Sequence, residues 1–271
     1  MTLLDGIDKD ETENYAVYYV EYISEELKNA IRTRLSAICH GTDPSRSKYT
    51  QYSYKATAKE FIKRYQSANN ASEDRKKGMI GELLVHIIVN IEGKYTPASP
   101  FLNMEERSFR KGYDLVMYDS DTDELWINEV KSGNKQKAQK DSSAAAVGLI
   151  NTAKNDLNRR LNEQNTAIWL NAANAARVSM SNSSNQKDMI LNLIDQYGEA
   201  ATAGQIKSEE FNVILSGNLF HPLGEKVDIK RIENKYNRVV NEKLFKKVYV
   251  VTIQKETYQA IYDFLESEAN S

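Results

Sequence analysis

The sequence predicts an α/β fold with a mixed central sheet flanked by helices, and three observations carry that prediction. Strand-like and helix-like stretches alternate along the chain, the pattern of a sheet covered by helices. Two apolar runs within Gly112 to Gly133 are joined by the acidic turn "DSDTDE", which makes at least one strand pair antiparallel. The 271 residues are 41% hydrophobic and 27% charged, enough apolar material for a sizeable core in one large domain or two small ones.

The elements are expected in the following order. The opening "MTLLDGIDKDETENY" turns acidic at once and reads as a tail. "YAVYYVEYI" alternates as a strand, and "SEELKNAIRTRLSAI" follows as a helix with a serine cap. A polar loop leads to a second helix, "KATAKEFIKRYQSA", and residues 1–70 together form an accessory α/β segment. The main domain, residues 71–271, opens on a helix capped by "SED" that runs to about Asn90 and stops at Gly93. "KYTPASPF" contains two prolines and is restricted to an edge strand or a loop. After the hairpin comes a helix from about Lys137 to Asn162, then a small-residue, polar stretch, "NAANAARVSMSNSSNQKD", expected as a loop or a short helix. Strands at "FNVILSG" and "KKVYVVTIQ" are separated by a basic helix, and "KETYQAIYDFLESEA" closes the chain as a helix.

Several classes of function are disfavoured at this level. The longest apolar run, "MIGELLVHIIVNI", is interrupted by Glu82 and is too short to span a bilayer. The first residues lack the basic and apolar regions of a secretion signal, so a cytoplasmic protein without a membrane partner is expected. A single cysteine, Cys39, excludes an internal disulfide and a cysteine-based metal centre. With 36 Lys and Arg against 38 Asp and Glu, bulk charge alone would not hold nucleic acid tightly. Local basic groups remain as candidate phosphate contacts, chiefly Arg110, Lys111, Lys135, Lys137 and Lys140, together with the run from Lys226 to Lys247; solvated faces are the plainer reading of each.

The hairpin carries the chemistry. With a turn at Asp121 and Thr122, the numbers of opposed residues add to 243, which places Asp114 across from Glu129. The period of two puts Lys131 on the Glu129 face with Val116, Tyr118, Leu125 and Ile127, and puts Tyr113, Leu115, Met117, Trp126 and Val130 on the other. Both faces are largely apolar, so cover on each side is expected. Two carboxylates about 5 Å apart across a strand pair repel unless a proton or cation lies between them. A hard divalent cation suits them, because Mg²⁺ is satisfied by one or two carboxylates with water and a substrate phosphate completing its shell. The Val130 carbonyl offers a further ligand, and Lys131 suits orienting a water or neutralising a phosphate oxygen. The same residues also fit a plain ion pair between Lys131 and Asp114 or Glu129 at a sheet edge. Glu82 lies in a helix apolar nearly all round and needs a partner there; His86, one turn on, and a shared metal ion are the two candidates.

A helix bearing Glu82, then "GYDLV" with Asp114, then "NEVKSG" with Glu129 and Lys131, resembles the PD-(D/E)XK nuclease superfamily, although Tyr113 stands where the name-giving proline would be. More narrowly, "GELLVHIIV", "KGYDLV", "EVKSG", "VILSGNLF" and the closing "KVYVVTI" to "FLES" are similar to the HamA family of the Hachiman anti-phage defence system. The resemblance implies a restriction-endonuclease-like core and a DNA endonuclease that uses Mg²⁺, or Mn²⁺ in its place. It further implies restraint by a HamB-like DNA helicase and release on activation. Asp114, Glu129, the Val130 carbonyl and Glu82 would hold the ion and Lys131 would serve the cleavage. Two alternatives share the fold: a catalytically silent subunit that regulates a helicase, and a stand-alone restriction or resolvase-type nuclease.

Overall fold

The fold was examined in a computed structural model that describes residues 2–67, 73–100, 115–182 and 185–271. The chain opens on β1 (Thr2–Leu4), β2 (Ile7–Glu11) and β3 (Tyr15–Val20), an antiparallel meander, and then enters α1 (Glu25–His40). Ser24 caps α1 as expected, its hydroxyl accepting from the Leu27 amide at 3.1 Å. A short turn of helix, α2 (Thr42–Ser45), leads to α3 (Tyr54–Ser67), and α4 (Glu73–Glu92) ends where Gly93 adopts a positive φ of 72°. The proline-containing stretch supplies only β4 (Thr96–Pro97), an edge strand. The hairpin is β5 (Leu115–Asp119) with β6 (Glu124–Asn134). α5 (Ser142–Leu161), α6 (Thr166–Ser179) and α7 (Asn185–Thr202) follow, and β7 (Asn212–Phe220), α8 (Ile229–Asn241), β8 (Lys247–Lys255) and α9 (Gln259–Asn270) complete the order.

All eight strands join one sheet in the order β1-β2-β3-β8-β7-β6-β5-β4. The inner four, β3, β8, β7 and β6, are parallel, and an antiparallel group flanks them on each side. Inner strands with cover on both faces should read as continuous apolar runs, and β3 does, whereas β7 and β8 are buried almost throughout but carry polar residues such as Ser216, Asn218 and Thr252. One face packs against α1, α3, α4 and α9, with Leu35, Phe61, Leu84 and Leu265 among its buried residues. The other packs against α5, α6, α7 and α8 through Ala146, Ile150, Trp169, Ile194 and Ile232.

Three expectations need correction. The acidic opening is not a tail: β1 and β2 extend the sheet, with Ile7 fully buried and Lys9 buried against Glu92 at 2.9 Å. That partner lies 83 residues away, so the charged sequence conceals the alternation it obeys. The stretch expected as a loop or short helix forms most of α6 and the start of α7. Its alanines are the reason, because Ala172, Ala173 and Ala176 are small enough to bring the two helices together, while Asn165 caps α6 through the Ala167 amide. α5 starts at Ser142 rather than near Lys137, since Asp141 caps it by accepting from the Ala144 amide at 2.7 Å. Residues 135–140 are therefore a connecting loop.

Candidate active site

The register of the hairpin positions everything else. From Leu115 opposite Asn128 to Asp119 opposite Glu124, the paired residue numbers add to 243, the constant expected from the sequence. The turn is longer than the two residues expected but has the same parity, so the alignment survives. It is tied by Tyr118, whose hydroxyl donates to the Asp123 carboxylate, and by the Asp121 amide donating to Asp119 at 2.9 Å. Asp114, together with Arg110 and Lys111, lies outside the described residues.

β6 continues past Asn128 as an inner strand pairing with β7, Glu129 opposite Leu215 and Lys131 opposite Gly217. The faces are as expected: Val116, Tyr118, Leu125 and Ile127 join the core under α5, whereas Met117 and Trp126 join the core under α4 and Val130 packs against it. Gly217 and the alanines of α5 let that helix lie close. A β-carbon on Gly217 would sit 3.2 Å from the Ile150 side chain and 3.4 Å from the Ala146 carbonyl. Running back along β6, α5 passes Leu149 beside Gly133 and then delivers Asp156 and Arg160 to Lys131 and Glu129.

The result is a chain of charges. The Glu129 side chain is 2% exposed, and both its oxygens are occupied: Oε1 accepts from Lys131 Nζ at 2.9 Å and Oε2 from Arg160 Nη1 at 2.8 Å. Lys131 Nζ also lies 2.9 Å from Asp156 Oδ2, and the cluster opens to solvent at Asp156, which is 39% exposed. The ion pair between Lys131 and Glu129 weighed from sequence is therefore present, but as part of a larger arrangement. Asp156 and Arg160 are not among the candidates that the sequence singles out. Their signal was a Asp-x-x-x-Arg spacing beside the buried Ala153 and Leu157, which marks a charged pair at the edge of a helix's packing face.

α4 approaches β6 from the other side. Gly81 lies against Ser132 and Asn218, so closely that a β-carbon there would stand 2.6 Å from Asn218 Nδ2. Glu82, the next residue on α4, is half-buried. His86 is fully buried, and desolvation pushes its imidazole down to about 3. It is neutral at physiological pH and supplies no positive charge to Glu82. Around it run other neutral polar groups: Ser216 Oγ donates to Asn128 Oδ1 at 2.8 Å, and Asn218 Nδ2 donates to Ser132 Oγ at 3.3 Å.

Of the candidate phosphate contacts, Lys137 and Lys140 are exposed on the loop after β6. Lys135 on the same loop is engaged by Glu225 at 3.2 Å, and hydrogen bonds from Ser142 and Lys135 hold that carboxyl below its usual range. Much of the basic run from Lys226 to Lys247 is consumed internally. Lys246 and Lys247 pair with Glu124, Lys226 pairs with Glu21, and Lys235 is buried against Asn151 with its ammonium pulled down by desolvation and by Lys154.

Among the described residues no group of three or more His, Cys, Asp and Glu side chains is placed to hold a metal ion, and no helix is long and apolar enough to cross a membrane. Fold and site together define an α/β protein with an acid-x-lysine pair on an inner strand of a mixed sheet, the acid buried and held by cations from strand and helix. The chain belongs to the HamA family, whose sequence model matches residues 2–269, and that membership associates it with Hachiman anti-phage defence. No curated protein matches the chain.

Proposed function

We propose that this protein is a divalent-metal-dependent DNA nuclease of the PD-(D/E)XK kind, acting with a DNA helicase in anti-phage defence. The observation that carries the reading is the buried Glu129 carboxylate beside Lys131 on an inner strand, in a hairpin that keeps the register expected from the sequence. The donor chemistry suits Mg²⁺ or Mn²⁺. It consists of carboxylate and main-chain oxygen with no sulfur, and Mg²⁺ needs few protein ligands when water and a substrate phosphate complete its shell. Glu129 would hold the ion with Asp114, Glu82 and the Val130 carbonyl. When bound, the ion would polarise the scissile phosphate. Lys131, reaching from a rigid strand toward the solvent side of the cluster, orients the attacking water and neutralises charge that grows on the phosphate oxygens. The exposed Lys137 and Lys140 are set to contact the backbone of bound DNA.

With 36 Lys and Arg against 38 Asp and Glu, this chain is poorly equipped to capture DNA by bulk charge alone, which favours delivery of the substrate by a helicase partner. The test is degradation of plasmid and single-stranded DNA with Mg²⁺ by the protein alone, by the protein with its helicase and ATP, and by Glu129→Ala under both conditions. Cleavage that requires both the helicase and Glu129 is the expected result. Cleavage by the protein alone would favour a stand-alone nuclease. No cleavage under any condition, with a stable helicase complex, would leave a regulatory subunit.

A further inference from the structure

We infer that Arg160 is a built-in cation that occupies the Glu129 carboxylate at rest, and that a divalent ion enters by an ion-pair exchange in which Arg160 transfers to Asp156. The inference rests on the metal-dependent reading above and adds a resting state to it. Each oxygen of Glu129 already accepts from a cation, Lys131 at 2.9 Å and Arg160 at 2.8 Å, so an arriving ion meets two like charges at the carboxylate and competes with them for it. A guanidinium cannot escape by losing its proton, because arginine stays charged at any pH a protein survives. It must instead find another anion, and the pair it leaves is well shielded, with Glu129 2% and Arg160 14% exposed.

The geometry supplies that anion. Asp156 lies one turn before Arg160 on α5, and an acid four residues ahead of a base is the favourable order for a pair along a helix. At rest Asp156 is held by Lys131 at 2.9 Å. The exchange therefore conserves charge. Glu129 passes from Arg160 to the ion, Arg160 passes to Asp156, and Lys131, released from Asp156, turns to the substrate. A buried carboxylate never stands alone at any stage, which matters because an uncompensated buried charge is costly. Asp156 is the positioning residue of this device. Its exposure, 39%, gives Arg160 a landing site at the mouth of the cluster.

The experiment is titration of the full-length protein with Mn²⁺ alone, followed calorimetrically and by the magnetic resonance signal of the free ion. It compares the wild type with Arg160→Gln, Asp156→Asn, the double variant, and Glu129→Gln. Removing the competing guanidinium should tighten Mn²⁺ binding about tenfold or more, the scale of one charge-assisted hydrogen bond. Asp156→Asn should weaken binding several-fold when Arg160 is present and have little effect in the Arg160→Gln background, a non-additivity that a general charge effect would not produce. Should Arg160→Gln fail to fold, Arg160→Met, which keeps an apolar stem without the charge, supplies the background for the same comparison. Mn²⁺ binding that Glu129→Gln abolishes but Arg160→Gln leaves unchanged would overturn the exchange alone. Equal effects of Asp156→Asn in both backgrounds would also overturn it. Absence of Mn²⁺ binding in the wild type and every variant would overturn the metal reading and the exchange with it.

Discussion

The two faces of β6 carry polar residues at the same depth and treat them in opposite ways. Toward α5, Glu129, Lys131, Asp156 and Arg160 form a charged chain that runs from a buried carboxylate to solvent. Toward α4, Asn128, Ser132, Ser216, Asn218 and a neutral His86 form a seam of uncharged groups, most of them fully buried. Ion pairs are exchangeable, since each member can be handed from one partner to another without leaving charge uncompensated. Neutral buried hydrogen bonds are local and fixed, and their loss is felt as instability. The contrast sets the Glu129 cluster, for which nuclease chemistry is proposed, on the α5 face and gives the neutral seam on the α4 face the task of aligning the strand, with Glu82 the one proposed ligand from the α4 side.

The largest expected effect separates the faces directly. Glu129→Gln should lower metal-dependent cleavage by about a thousandfold or more, as expected when a charged group serving the transition state is lost. Ser216→Ala, which removes the 2.8 Å hydrogen bond to Asn128 on the other face, should cost about 1–3 kcal/mol of stability and leave cleavage of the folded protein unchanged. Nuclease rates and chemical denaturation on both variants check the pair. Equal loss of cleavage in Ser216→Ala at a temperature where it is folded would end the division between faces.

The second effect belongs to His86. Its folded value is about 3 and its ordinary value 6.5, so below pH 6.5 the unfolded chain binds a proton that the folded chain refuses. Stability contributed in this way is complete above pH 6.5 and falls as the pH drops toward 3, by up to about 1.4 kcal/mol per pH unit. His86→Leu should flatten that part of the stability curve. Denaturant titrations at pH 7, 6 and 5 on both proteins measure it, and identical slopes would show that the imidazole reaches solvent or a proton acceptor.

Gly81 gives a smaller effect with a built-in control. A methyl group there meets the Ser132 side chain and Asn218 Nδ2, and overpacking of this kind costs about 1–3 kcal/mol. Gly81→Ala should therefore lower the melting temperature by several degrees. Adding Ser132→Ala should recover part of the loss, because it removes the hydroxyl that the methyl group meets.

The same contrast explains what could be read in the sequence. Hairpin register, and with it the facing of Glu129 and Lys131, was legible because a strand pattern with apolar residues on both faces tolerates no slip of one residue. The cap at Ser24 and the stop at Gly93 were legible because capping is local. Asp156 and Arg160 were not, since their partners lie 25 and 31 residues away and the local Asp-x-x-x-Arg spacing marks a charged helix edge without showing what it meets. β1 and β2 stayed hidden for the same reason: the charge on Lys9 makes sense only beside Glu92. The sequence offers His86 beside a shared metal ion as a candidate partner of Glu82 because it shows the spacing of His86 and not its desolvation.

The smallest expected effect lies beyond both faces, on the loop that leaves β6. Lys137 and Lys140 are exposed and make no ion pair among the described residues, whereas Lys135, two positions before Lys137, is held by Glu225. Cations already paired within the protein gain little from a phosphate, because the new contact is offset by the one given up. Free ones gain the release of counterions from DNA, which appears as salt dependence. Lys137→Ala and Lys140→Ala should each weaken DNA binding by a few fold and reduce the slope of log affinity against log salt by about one. Lys135→Ala should do less on both measures. Fluorescence anisotropy with a labelled duplex across a salt series reads the three variants side by side. An equal slope change for Lys135 would mean that the Glu225 pair opens when DNA arrives, extending to this loop the partner exchange inferred for Arg160.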